Sequence, residues 1–213
     1  MAHHTEDAPQ GGLIRRAWRG LRRPSSVYSV GLLLIIGIVL GVGGWGGFNW
    51  ALELTNTETF CLTCHEMEAN NYREYRGTIH DANRSGVRAT CPDCHVPKEW
   101  VHKIVRKIQA SNEVLHHLLG SVDTREKFEA QRLRLARNVW TAMANTDSRE
   151  CRNCHNFSAM DVTMQKSRAR ERHLEAESQG ATCIDCHKGL AHQLPGGMTP
   201  EDAHPKAVKV SGK

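Results

Sequence analysis

Phe60-Cys61-Leu62-Thr63-Cys64-His65-Glu66-Met67 is the first of four related stretches in the chain. The others are Thr90-Cys91-Pro92-Asp93-Cys94-His95, Glu150-Cys151-Arg152-Asn153-Cys154-His155 and Thr182-Cys183-Ile184-Asp185-Cys186-His187. All eight cysteines of the 213 residues fall in these Cys-x-x-Cys pairs, and a histidine follows each pair at once. With 13 histidines in the chain, four such followers arise by chance with a probability on the order of 10⁻⁵, and Cys-x-x-Cys-His is the attachment signature of c-type haem. The two thiols bond the haem vinyl groups, and His65, His95, His155 and His187 are set under the irons as proximal ligands. Zinc knuckles built from paired cysteines would need no histidine after every pair.

Working outward, composition agrees with four large prosthetic groups. Aromatic residues make up only 6% of the chain, and beyond the N-terminal region large apolar side chains are sparse. Haem faces then replace aliphatic packing, and without haem too little apolar surface remains to offset chain entropy. The net charge of +5 is too mild to argue for a nucleic-acid partner. The expected fold is mainly α, a small multihaem cytochrome c domain with long loops.

Upstream of the motifs, no charged residue occurs between Arg23 and Glu53, and Val27 to Trp50 is mostly Val, Leu, Ile and Gly. A helix of about 24 residues rises about 36 Å, enough to cross a bilayer core of about 30 Å. Arg15, Arg16, Arg19, Arg22 and Arg23 flank it, which predicts a cytoplasmic N-terminus and an outer haem domain. Trp45, Phe48 and Trp50 suit the outer interface. A cleaved signal peptide would have a shorter apolar core followed by a small-x-small site, so an uncleaved single-pass anchor in a bacterial inner membrane is expected. The predicted organisation is a cytoplasmic basic tail over 1–24, a transmembrane anchor over 25–52, a periplasmic haem domain over 53–194 and a flexible tail over 195–213. The first dozen residues are also expected to be disordered. Gly37 with Gly41 and Gly43 with Gly47 have the small-xxx-small spacing that admits a second helix, so a homodimer is one expectation; simple tolerance of glycine in membrane helices is the other.

The haem domain repeats itself. In each half a lone histidine, His80 or His173, precedes the second motif, giving two duplicated dihaem units at about 53–120 and 121–194. Between the halves, Val101, Ile104, Val105 and Ile108 have helical spacing, in a helix that ends at Gly120. Asp123-Thr124-Arg125-Glu126 opens a second helix with a capping-box pattern, running to about Asn145 with Phe128, Ala136, Val139, Trp140 and Met143 on one face. No stretch alternates as a strand.

A low-spin haem needs a distal ligand as well, usually His or Met. His80, His173 and His192 fit the repeat as axial ligands. His116 and His117 end an amphipathic helix and read as solvent or dipole partners, His204 lies in the tail, and His102 stays open. Met67, two residues after His65, is a further candidate iron ligand, and a thioether there would raise that haem's potential relative to His.

Thr78-Ile79-His80, Asn83 through Pro97, Cys151 through Phe157 and Thr182 through Gly189 together resemble the NapC/NirT tetrahaem quinol dehydrogenases. The resemblance extends from the basic flank to His192 and looks nearest to the NapC branch, which serves periplasmic nitrate reductase; the NirT branch, serving nitrite reductase, is the alternative. It implies that membrane quinol delivers electrons at the first haem and that a periplasmic reductase receives them. It also implies a quinol pocket at Lys107 and Glu113, where Lys anchors a quinol oxygen and a carboxylate takes a proton, and it supports His80, His173 and His192 as axial ligands. Some close relatives carry His where Lys98 stands, so the distal ligand of one haem is open: either it is absent, or a carboxylate, water or quinol stands near that iron. Arg132, Arg134 and Arg137 would either steer an acidic partner or form a solvated helix face. A terminal multihaem reductase is a weaker reading, since no motif is altered in type, as Cys-x-x-Cys-Lys would be.

Overall fold

The computed structural model describes residues 12–21 and 26–203, and the chain divides into two compact units, Met1–Leu52 and Glu53–Lys213. In the first unit, α1 (Leu13–Leu21) carries Arg15 and Arg16, so part of the expected basic tail is helical; Arg22, Arg23 and the first eleven residues lie outside the described residues. α2 (Val30–Leu54) is 25 residues long with no buried residue, and among the described residues it is the helix long and apolar enough to cross a membrane. Ser29 Oγ accepts from the Leu32 N–H at its start.

The second unit is helical, with no strand among the described residues. Short helices carry the motifs, α3 (Glu58–Cys61), α5 (Cys91–His95), α8 (Arg149–Arg152) and α10 (Cys183–Cys186), and α4 (Arg73–Tyr75) lies between the first two motifs. Two long ones separate the halves, α6 (Trp100–Leu118) and α7 (Arg125–Asn145). α9 (Ser167–Gln179) precedes the fourth motif and α11 (Pro200–Ala203) follows it. α6 stops where Gly120 takes φ +63°, a left-handed conformation that glycine adopts without strain. A Cβ there would stand 3.0 Å from Asp123 Oδ2. α7 starts where Thr124 Oγ1 accepts from the Lys127 N–H, so the cap is Thr124, one residue on from the Asp123-to-Glu126 spacing of the expected capping box.

The second and fourth motifs start alike because their sequences do. The Thr90 N–H and hydroxyl donate to Asp93 Oδ2 at 2.8 and 2.7 Å, and Thr182 and Asp185 repeat the arrangement at 2.7 and 2.9 Å. The third motif begins differently. Asp147 and Ser148 have φ of +52° and +49°, a conformation that non-glycine residues rarely adopt. Ser148 is fully buried, and its Oγ accepts from the Ile184 N–H at 3.0 Å, tying the third motif to the fourth.

The protein core is small. Trp140, Ala144 and Ile184 form its centre, with Ala136, Met143 and Met198 packed against it; Phe128 and Tyr75 are buried elsewhere. Met198 belongs to the segment expected to be a loose tail. Instead, residues 195–203 dock. Arg137 Nε and Nη2 donate to the Asp202 carboxylate at 2.6 and 2.9 Å, the Thr199 N–H caps it at 2.7 Å, and Lys188 Nζ donates to the Asp202 carbonyl. Residues 204–213, His204 among them, lie outside the described residues. Arg132 is likewise internal: it is buried and forks onto Glu74 at 3.0 and 2.5 Å. Neither Arg132 nor Arg137 is therefore free to steer a partner.

Candidate multihaem site

A cavity of about 3310 Å³ runs through the second unit, lined by all eight cysteines. That is several times the roughly 300–1,000 Å³ of a pocket for one small ligand. His80, His95, His155, His173, His187 and His192 also line it. They stand in three facing pairs with ring centroids 6.2 Å apart for His80 and His155, 6.2 Å for His95 and His192, and 5.9 Å for His173 and His187. An imidazole nitrogen binds a first-row metal at roughly 2.0–2.1 Å. The ring centre lies about 1.2 Å further out, so two rings on opposite sides of one metal stand about 6.4 Å apart. The three pairs fit axial ligation of haem iron, and the flanking Cys-x-x-Cys thiols fit its covalent attachment.

Two pairs join the halves: His80 faces the histidine of the third motif, and His192 faces that of the second. Burial and the neighbouring His192 push His95 down to about 4, and burial also lowers His80, His187 and His192. These imidazoles stay neutral near pH 7, the form with a lone pair for a metal. The thiols of Cys61 and Cys91 share a hydrogen bond, as do those of Cys151 and Cys183. The first attachment site thus adjoins the second, and the third adjoins the fourth.

The first motif departs from the others. His65 and His117 have ring centroids 6.2 Å apart, but a carboxylate intervenes: Glu66 Oε1 lies 2.7 Å from His117 Nδ1 and 3.6 Å from His65 Nε2. The His65 side chain is 65% exposed and does not line the cavity, whereas Met67 does. Met67 opens a π-helix, Met67–Tyr72, a wide-turned form that concentrates at functional sites. Asn71 Nδ2 approaches Met67 Sδ at 3.6 Å. His117, expected to be a helix-end solvent partner, instead holds the buried Glu66; the only hint in the sequence was a carboxylate placed directly after a haem histidine. His116 does close its helix end, with Nδ1 3.1 Å from Ser121 Oγ. His102 pairs with Glu99 at 2.8 Å, and Lys98 is exposed; neither lines the cavity.

Lys107 and Glu113 both line the cavity, each with its own partner. Lys107 Nζ donates to the Thr55 carbonyl at 2.6 Å and reaches Thr55 Oγ1 at 3.2 Å. Burial lowers its pKa, and the Cys61 thiol is near enough to feel its charge. Glu113 is 63% exposed and accepts from Arg106 Nη2 at 2.7 Å.

The model of the NapC/NirT cytochrome c family, N-terminal region, matches residues 23–197. The denitrification system component NirT of Stutzerimonas stutzeri is 62% identical over 85% of this chain and 90% of its own length. The cytochrome c-type protein NapC of Escherichia coli K12 is 55% identical over 86% of this chain and 92% of its own. The cytochrome c-type protein TorC of the same organism is 43% identical over 85% of this chain but 47% of its own. No solved structure matches the chain.

Proposed function

The chain belongs to the NapC/NirT cytochrome c family, and from that premise we infer a membrane quinol dehydrogenase that feeds a periplasmic reductase through four covalently bound haems. α2 holds it in the inner membrane as a single span. Its basic flank, including Arg15 and Arg16, keeps the N-terminus cytoplasmic and the haem domain periplasmic. Four attachment motifs argue for four haems, and one relative, 47% identical, is named a putative tetraheme cytochrome.

Haem, when bound, supplies one-electron redox chemistry at iron. The chain's residues do the rest. Cys61, Cys64, Cys91, Cys94, Cys151, Cys154, Cys183 and Cys186 tether the groups. His80 with His155, His95 with His192 and His173 with His187 would hold the irons of three. At the first motif, Met67 is the ligand that faces the cavity, and His65 turns outward. The observation that carries the quinol reading is Lys107, whose ammonium donates to Thr55 and stands beside the first motif at Cys61. A cation there would polarise a quinol oxygen as the quinol gives up two electrons, one at a time, to the first haem, and two protons. Glu113, on the same helix, would take one proton, and the other would pass to water.

The acceptor is a periplasmic reductase, nitrate reductase on the NapC reading. The 62% identity to a denitrification component favours nitrite as the second reading. A terminal reductase has less support, because the three facing histidine pairs would leave their irons no open position.

The test is hydroquinone reduction of the detergent-solubilised oxidised protein, followed in the reduced-haem absorption band. Rapid reduction, slowed on the order of 100-fold in Lys107→Ala or Glu113→Ala, is the expected result. Reduction by dithionite but by no quinol would leave a tethered relay fed by another protein.

A further inference from the structure

α6 turns its apolar face outward. Arg106, Lys107, Ala110, Glu113 and His117 line the haem cavity, whereas Val101, Val105, Ile108, Leu115 and Leu119 are exposed. These five follow one another at spacings of four, three, seven and four residues, which sets them in one stripe along a helix of 3.6 residues per turn. The stripe is about 27 Å long at a rise of about 1.5 Å per residue. A surface helix ordinarily directs such a stripe at the core. Here Val101, Ile108 and Leu119 are 64%, 67% and 66% exposed. None of the five lines the cavity, so bound haem would leave them uncovered. Single exposed apolar residues are ordinary, but a continuous register of them marks an interaction surface.

Where α6 is held tells what covers it. Lys103 Nζ donates to Glu53 Oε1 at 2.5 Å, and one turn on Lys107 Nζ donates to the Thr55 carbonyl. Glu53 is the first charged residue after the uncharged run, and α2 ends at Leu54. Two successive turns of α6 are thus tied to the chain where it leaves the span, and the apolar medium nearest to them is the lipid around α2. Trp100, also exposed, opens α6, and tryptophan concentrates at membrane–water boundaries. A helix with segregated polar and apolar faces lies in the plane of such a boundary, its apolar face about 5–10 Å into the acyl region.

We propose that α6 is a second membrane contact: Val101, Val105, Ile108, Leu115 and Leu119 insert into the leaflet from which α2 emerges, and phospholipid acyl chains are their partner. The contact holds the first motif against the bilayer, because Lys107 also stands beside Cys61. It rests on α2 as a membrane span and is independent of which donor reduces the haems.

The test uses the full-length, haem-loaded protein in phosphatidylcholine nanodiscs that hold one chain each. Co-purification of haem with the discs checks the span separately. The native cysteines are occupied by haem attachment, so one introduced cysteine is a unique reactive thiol. Val101→Cys, Val105→Cys and Ile108→Cys sample the stripe. Ala130→Cys on α7 and Glu171→Cys on α9 sample other exposed positions. Each thiol is reacted with a sulfonated maleimide, which stays in water, and with N-ethylmaleimide, which enters lipid. The ratio of the first rate to the second should be lower at the stripe than at the controls by about tenfold or more, as insertion of the face into the acyl region requires. The haem spectrum shows which variants have matured, and any one stripe position suffices. Equal ratios at stripe and control positions would overturn the proposal, and are what a stripe reserved for a soluble protein would give, since none is present. Protection confined to discs that hold two chains, with cross-linking between their stripes, would overturn it too and assign the face to a second copy.

Discussion

His80 and His155 face each other with ring centroids 6.2 Å apart, although they come from opposite halves of a duplicated sequence. On the ligation proposed above, the distal ligand of the third haem would be carried by the loop that leads into the second motif. His80→Ala should convert one of four haems to a high-spin state without loss of covalent haem. His192→Ala should convert a different one, and the double variant should show both signals. Electron paramagnetic resonance of the oxidised protein reads this directly; an H80A spectrum unchanged from the parent would sink the pairing.

At the first motif, Met67→Leu should alter the ligation of one haem and lower its potential, since a thioether holds the potential above that set by a second histidine. His65→Ala should leave the low-spin signals as they were. Spectropotentiometry of the two variants decides the question, and the reverse pattern would restore His65 as the ligand.

Ser148 tests the link between the third and fourth motifs. Ser148→Ala strands the Ile184 N–H in a buried place, a loss of about 1–3 kcal/mol. For a chain of this size the thermal midpoint of the haem-loaded protein should fall roughly 2–4 °C per kcal/mol. An unchanged midpoint would mean that water replaces the hydroxyl at no cost.

Acid should loosen the clamp between the halves. Burial pulls the Glu74 carboxyl upward, but hydrogen bonds from Arg132 and Gln193 outweigh it and hold the group below its ordinary value. A depressed carboxyl contributes its full stabilisation above the unfolded value, about 4.3, and loses it as pH falls through the folded one. Holoprotein stability should drop as pH falls below about 4.3, and Glu74→Gln should be less stable at pH 7 with a flatter acid limb. Parallel acid limbs in the two proteins would show that Glu74 does not control the transition.

Much of this was legible in the residues, for identifiable reasons. The attachment sites follow from local covalent spacing, α2 from an uncharged apolar run, and α6 and α7 from periodicity and from the signals at Gly120 and Thr124. Pairing between distant histidines was not legible, because a sequence repeat suggests that each half closes on itself and nothing local shows that His80 and His192 cross over. Lys107 and Glu113 were found through family likeness, while their partners Thr55 and Arg106 have no signature. The docked tail was missed because a stretch rich in Gly and Pro reads as loose, whereas the Arg137 grip on Asp202 depends on a helix far back in the chain.

The crossed histidines would also set a clock on maturation. A chain translated from its N-terminus presents Cys91 and Cys94 long before His192. On the ligation proposed above, the second haem would wait with one iron position unfilled, whereas His80 would already be present when Cys151 and Cys154 arrive. Premature termination after the third motif would leave that second iron open to small ligands such as carbon monoxide or peroxide. Completion of the C-terminal segment would then be the step that closes it.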